Sequence, residues 1–582
     1  VSGLCKDYKG ELVYGKIASD QYLLINVLYQ KPTKETNWND IAYFILKNVH
    51  TGEKKLLQVE NPPYLIYYVK PEYRDFDFMR AFVPLNKLAC KRIAYKNMEN
   101  EIAEIGGAKL KEMLTNAMAN DFRSAKNIHK YPYVVGTDLP YESYARIEWA
   151  LHYHNQNIST ETTKMYADIE VDGIDIPGFP KPGECPINAT SLIDEAGNTV
   201  YLFLLRNPKN PLIEEFEKNI DPFIQKLHDA FDETYGVLNY RILMYDDELT
   251  MIAHIFATIN TLKRDFLLFW NMSFDIPFFM ARIQALGADP DDVMCSKDFK
   301  TKILYYRKDT RNHDFKKKND RFVISAYTVY LDQMGQYIKL RKGKSELKSF
   351  RLNAIAQKEL KDEKLDYSDE ADIKTLPYVN YEKFVMYNLK DTLLQMGIER
   401  KTHDTDNTMI SALMTATPYS ALFSQTILLR NYAYMSYFLQ GYMIGNNRNL
   451  IHGGGKPDKY EEDEDTFEGA LVGDPLLNDY AGIPIFGKPS KFIFADVIDF
   501  DFKSMYPSII RSHNINPETM IGKVLLEGFD YLNLDPTDKL YDQGKVFIET
   551  YLSHDWGFLG KTYFNLPSIE DLVHEVEHED CK

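Results

Sequence analysis

Met165-Tyr-Ala-Asp-Ile-Glu-Val171 is the stretch from which the fold of this chain can be read. Its alternation predicts a strand over 164–171, in which side chains two apart share a face. Ala167, Ile169 and Val171 fill one face, and Asp168 and Glu170 project together from the other. Two carboxylates side by side repel unless a cation sits between them. Further on, Phe266-Leu-Leu-Phe-Trp-Asn-Met-Ser-Phe-Asp275 reads as a buried strand ending in a turn. Pro277 suits the first turn of a following helix and Gly287 can close it. Asp275 is thereby expected at a strand-to-helix junction, where active-site residues of α/β sheets gather. Tyr387 and Asp391 lie four apart, on one face of a helix predicted over 381–398.

Outward from these segments, residues 156–399 alternate strands (164–171, 201–206, 266–270) with helices (213–231, 276–286, 381–398), the pattern of a sheet covered by helices. Residues 1–155 mix strand-like runs (22–28, 42–46, 63–69) with a helix-like run at 102–120, an α+β region with no chemistry of its own. Residues 451–466, with three consecutive glycines and then Glu-Glu-Asp-Glu-Asp, read as a linker. The expected domains are 1–155, completed by about 400–465; 156–399; and 466–582.

With 582 residues, 45% hydrophobic and 26% charged, the chain belongs to the globular class. No apolar run approaches the roughly 18 residues a membrane span requires, so no membrane association is expected. Five scattered cysteines without a C-x-x-C pair argue against a cysteine-built metal site and for a reducing cytoplasm. The net charge, 68 − 85 = −17, excludes a polyanion binder that relies on overall charge. Clustered carboxylates with basic groups confined to one groove remain compatible with nucleic acid. Two basic clusters are candidates for a phosphate-facing rim, or simply for solvated loops: 297–321, with Lys300 and Lys302, and 339–351, with Lys339 and Arg341.

Singly, these motifs are ordinary surface features; their order is specific. Asp-Ile-Glu, then Asn-x-x-Phe-Asp about 100 residues on, then Tyr-x-x-x-Asp about 115 beyond that, resembles the three exonuclease motifs of proofreading 3′→5′ exonucleases. The resemblance implies a ribonuclease H-like domain with two metals, Mg²⁺ or Mn²⁺, held by Asp168, Glu170, Asp275 and Asp391. Tyr387 would orient the attacking water. Asn271, with Phe274 beside Asp275, would help fix the terminal nucleotide. Only Met272 and Ser273 separate Asn271 from Phe274, the spacing of protein-primed relatives, which weakens the role of Asn271 more than that of Asp275.

Lys491-Phe-Ile-Phe-Ala-Asp-Val-Ile-Asp-Phe-Asp-Phe-Lys-Ser-Met-Tyr-Pro-Ser-Ile-Ile510 begins as an alternating strand and turns into a short helix. Its block Asp501–Ile510 closely resembles motif A of family B DNA polymerases, and Asn514-Ile-Asn-Pro-Glu-Thr519 is similar to phage members. The resemblance implies the first part of the palm of a right-hand polymerase. There Asp501 would coordinate both catalytic metals and the Phe502 carbonyl would add a ligand. Backbone amides near Ser504 and Met505 would bind the incoming dNTP, and Tyr506 would exclude a 2′-hydroxyl. Asp499 shares a strand face with Asp501 but lacks its offset to Ser504 and Tyr506. Phe467-Glu-Gly469-Ala resembles the template-contacting Tyr-x-Gly element, with Phe in place of Tyr.

Only 72 residues follow Ile510, and neither a Tyr-Gly-Asp-Thr-Asp hairpin nor a fingers helix motif occurs in them. Tyr245-Asp-Asp247 precedes motif A and is rejected as a substitute. The expectation is a split phage-like polymerase in a bacterial host cytoplasm: fingers, the rest of the palm and thumb on a second polypeptide, or removed from this one. Primer–template DNA, single-stranded DNA and a sliding clamp or other replisome proteins are the expected partners. The alternatives are a stand-alone exonuclease with a non-catalytic palm remnant and an inactive primer–template scaffold. The complete acidic set disfavours the scaffold, and Asp501 with Tyr506 disfavours the remnant. His574-Glu-Val-Glu-His578 matches a zinc-protease pattern but reads as an exposed acidic helix, and Gly453-Gly-Gly-Lys456 lacks the Ser or Thr of a P-loop.

Overall fold

A computed structural model describes residues 22–73, 82–105, 133–153, 161–309, 320–341, 349–366 and 372–445, and the backbone of five later strands between 484 and 566. The chain divides into two compact units: 1–66 with 90–98 and 138–441, and 67–89 with 99–137 and 442–582. Asp501, Phe502, Ser504, Met505, Tyr506 and Gly469 lie outside the described residues, as do Asp499, the 451–466 segment, the glycine run and the His574–His578 motif.

The first unit opens with an antiparallel sheet of β1 (Tyr22–Gln30), β2 (Ile41–Asn48) and β3 (Lys54–Glu60), followed by α1 (Tyr141–Tyr153). A mixed sheet then forms from β4 (Lys164–Val171), β5 (Ile187–Asp194), β6 (Thr199–Leu205), β7 (Asn239–Tyr245), β8 (Phe266–Phe269) and, after the hairpin β9 (Leu304–Arg307) and β10 (Arg321–Ile324), β11 (Val329–Asp332). Its strand order is β7-β6-β5-β4-β8-β11. The β4–β5–β6 meander is antiparallel, whereas β7, β8 and β11 each run parallel to the neighbour nearer the centre.

Helices cover both faces. On one side lie α2 (Pro211–Lys218), α3 (Ile220–Tyr235) and α9 (Tyr381–Thr402), whose Phe223, Leu227, Leu389 and Leu393 pack with Tyr166, Val200 and Leu202. On the other, α4 (Glu248–Leu262) and α5 (Met272–Ala285) pack Ile252, Ile255 and Ile276 on Met165, Ala167 and Ile169. The period of two in β4 therefore sends Asp168 and Glu170 to the face of Tyr166, toward α9. Besides a five-residue helix at Pro290–Met294, the remaining α-helices of the described residues are α6 (Gln333–Leu340), α7 (Leu352–Leu360), α8 (Leu376–Val379), α10 (Asp404–Met414) and α11 (Gln425–Leu439). Helix α9 is buried on nearly all sides, and Asn380 caps it by accepting from the Lys383 amide.

Three expectations are corrected. The strand beginning at Phe266 ends at Phe269, and Asp275 lies inside the first turns of α5, with Pro277 a full turn deeper than its expected place. The helix expected over 213–231 is two, broken at Asn219 (φ −118°, ψ 24°). The basic rim is partly consumed internally: Lys300 pairs with Glu60, Lys302 with Asp292, and Arg341 with Asp404 at 2.8 Å.

In the second unit, Phe82–Pro84 pairs antiparallel with Tyr442–Ile444, and Gly522–Glu527, Lys545–His554 and Gly557–Leu566 form an antiparallel sheet. No helix among the described residues is long and apolar enough to cross a membrane.

Candidate active site

The β8 ladder ends with Phe269 opposite Ala167, so β4 runs on past its neighbour. The carboxylates stand on that overhang. Asp168 and Glu170, both half-buried, meet buried Asp391 from α9, and one oxygen of each lies within 4.8 Å of the others. Tyr387 lies one turn before Asp391 on α9, and both are buried. Asp275 approaches from α5; it is buried and electrostatically joined to Asp168, but it stands outside that closest group of three. Asn271 precedes α5, where its Oδ1 accepts from Ser273 Oγ at 2.7 Å. Its side chain lines a cavity of about 250 Å³ shared with Arg321, Lys339 and Arg430.

Crowding and burial set the charge state. Burial, then the Asp391 charge, pushes Asp168 up to about 8, against the opposing pull of Lys364 and Asn388. Burial followed by Asp168 holds Glu170 well above the carboxylate range. Asp275 is held up in the same way, with a hydrogen bond from the Ile169 backbone acting in the opposite sense. Burial also raises Asp391, and Lys364 offsets it. Asp391 Oδ1 is buried and has no hydrogen-bond partner among the described residues. Converging carboxylates that cannot all ionise, one with an orphaned oxygen, form a hard oxygen-donor set suited to a divalent cation.

Four residues here escape sequence reasoning. Lys364 Nζ donates to Asp391 Oδ2 (2.5 Å) and to Tyr387 Oη (3.0 Å). It follows α7 in a charged run, Lys361-Asp-Glu-Lys364, that looks solvated. Asn388 Nδ2 donates to Asp168 Oδ2 at 3.2 Å, anchoring α9 to β4. The face carrying Tyr387 and Asp391 could have suggested it. Phe179, in the loop after β4, is 78% exposed, and its ring centroid lies 5.3 Å from that of Phe274. Lys374 holds the same loop. By contrast Asp247 of the rejected Tyr-Asp-Asp caps α4, accepting from the Thr250 amide.

Residues 141–355 match the exonuclease domain of DNA polymerase family B, and residues 420–550 match DNA polymerase family B itself. The chain belongs to that family: it is a phage-like family B polymerase chain with an exonuclease domain and a partial polymerase domain. It is 25% identical over 410 residues to the DNA-directed DNA polymerase of Escherichia phage RB69, covering 68% of this chain and 41% of that protein. It is 23% identical over 361 residues to that of Enterobacteria phage T4 (61% and 36%), and 23% over 341 residues to the DNA polymerase delta catalytic subunit of Drosophila melanogaster (54% and 26%). The chain therefore spans less than half the length of each of these relatives.

Proposed function

We propose that residues 156–399 form a ribonuclease H-like 3′→5′ exonuclease that trims single-stranded DNA ends, and that the segment from 466 begins the palm of a DNA-directed DNA polymerase. The supporting observation is the convergence of Asp168, Glu170 and Asp391, with Asp275 beside them, from segments up to about 220 residues apart. Two Mg²⁺ or Mn²⁺ ions held by these four residues would supply Lewis-acid activation of water and stabilisation of the leaving 3′ oxygen. The chain's own groups do the rest. Tyr387 Oη, fixed by Lys364, orients the attacking water. Asn271 and Phe274 flank the terminal nucleotide, and the exposed Phe179 ring offers a face on which a base can stack. The full chain should shorten a 5′-labelled single-stranded oligonucleotide from its 3′ end with Mg²⁺ and stop with EDTA; no shortening under any divalent ion would refute the reading.

The polymerase half rests on the family match over 420–550 and on motif A. In this reading Asp501 and the Phe502 carbonyl hold metal, Ser504 and Met505 amides bind the dNTP phosphates, Tyr506 selects deoxyribose, and Gly469 lies near the template. Fingers, thumb and the second palm carboxylate complete the site from a second polypeptide or from further sequence of the same protein. Primer–template DNA is the substrate, and a sliding clamp or other replisome protein is the partner.

The raised Asp168 carboxyl gives a pH prediction. A folded-state pKa raised to about 8 contributes metal-free stability at low pH that is lost as pH rises through 8. The cation reverses this, because the proton must leave for it to bind. Because Glu170 and Asp275 are held up as well, Mn²⁺ affinity is therefore expected to weaken by at least about tenfold per pH unit below 8, with at least one proton released on binding. Calorimetric titration in buffers of different ionisation enthalpy checks this; pH-independent affinity would contradict it.

A further inference from the structure

We infer that Lys374 is a positioning residue for the single-stranded 3′ end, acting through the loop that carries Phe179. The inference rests on the exonuclease reading for the identity of the ligand, a DNA strand with an unstacked terminal base. The loop leaves β4 at Asp172 and returns to β5 at Ile187. Its tip has few backbone bonds of its own, and Lys374 Nζ takes their place, donating to the Ile176 carbonyl at 2.7 Å and the Gly178 carbonyl at 2.5 Å. The lysine stem lies along Gly173. A Cβ on Gly173 would stand 3.0 Å from Pro180 Cγ and 3.6 Å from Lys374 Cε, so this glycine permits the loop to close on itself. Gly178, at φ +80°, supplies the turn immediately before Phe179.

A second anchor comes from the same segment. Tyr378 Oη donates to Asp172 Oδ2 at 2.6 Å and accepts from Asn207 Nδ2 at 2.9 Å. Residues 374 and 378 thus hold the tip and the base of the loop, respectively, just before the chain enters α9, which carries Tyr387 and Asp391. One continuous segment sets both the height of the exposed Phe179 ring and the start of the helix bearing the carboxylate. An apolar ring kept 78% exposed gains nothing from solvent, and burying it under a base would recover part of the hydrophobic stabilisation it forgoes. Fixing the ring in advance removes the ordering cost that binding would otherwise incur.

The test uses the full chain and a 2-aminopurine-tailed oligothymidylate as probe. Wild type, Lys374→Met, Phe179→Ala and the double variant are compared by anisotropy in EDTA and by digestion in Mg²⁺. Each single change is expected to raise Kd and KM by about tenfold, with kcat within about twofold. The double variant should be no weaker than the weaker single, because both act through one ring, and Lys374→Arg should restore most of the affinity. Additive losses of about a hundredfold would overturn the inference, since Lys374 would then act independently of Phe179. So would a fall in kcat at constant KM. Should Lys374→Met not fold, Gly173→Ala displaces the same loop against Pro180, and the same non-additivity with Phe179→Ala decides. Coupled binding by a chain that never shortens the probe would refute the exonuclease reading and leave this inference standing; digestion with additive losses would do the reverse.

Discussion

Asp168→Ala is expected to slow 3′-end shortening by on the order of 10³-fold, because a metal-holding carboxylate contributes several kcal/mol to the transition state. Asp168 is the centre of the cluster: Asn388 donates to it, Asp391 and Glu170 face it, and its charge helps hold Asp275 up. On the proposed reading its removal takes away a metal ligand and one of the hydrogen bonds between β4 and α9. Asp275→Ala should give a loss of similar order although it lies outside the closest triad. Single-turnover digestion of a labelled oligonucleotide measures both, and a change under about tenfold in either would remove that residue from the metal set.

The second large effect is on stability. Asp265, 1% exposed at the start of β8, accepts from Lys47 Nζ (2.6 Å), the Thr163 amide (2.8 Å) and Thr163 Oγ1 (3.0 Å), and faces Lys54 Nζ at 3.2 Å. Lys47 and Lys54 come from β2 and β3, so this carboxylate ties the first sheet to the second. Burial already holds Lys54 down to about 8, against the pull of Asp265. Asp265→Ala leaves two buried ammonium groups without their shared partner, and is expected to cost about 3–5 kcal/mol, or roughly 10 °C in melting temperature. Calorimetry of the full chain tests it; a drop of only about a degree would mean that water reaches the pair. Lys54 adds a sign: with a depressed folded pKa, its contribution to stability should rise with pH above about 8, as the unfolded chain retains a proton the folded one has lost.

Much of this was legible where the chemistry is local. The β4 strand has the bounds its alternation predicts, because a buried strand beside a two-carboxylate face leaves one register. The pairing of Tyr387 with Asp391 follows from helical spacing. Where the readings failed, one residue outweighed a pattern. Apolar spacing continues through Ile213, Phe216, Ile220 and Phe223, yet Asn219 leaves helical geometry and splits the helix. Lys364, Lys374 and the Lys47–Lys54–Asp265 group look like solvated charge in sequence. Their partners lie about 23 to 218 residues away, and only the tertiary fold brings them together.

Electron paramagnetic resonance of Mn²⁺ bound to the full chain tests the cation cradle most directly. Titration at pH 8 should show saturable binding that is lost together with digestion in Asp168→Asn and Asp391→Asn, while Lys374→Arg retains both. Mn²⁺ binding of unchanged affinity and stoichiometry in both carboxylate variants would contradict the account.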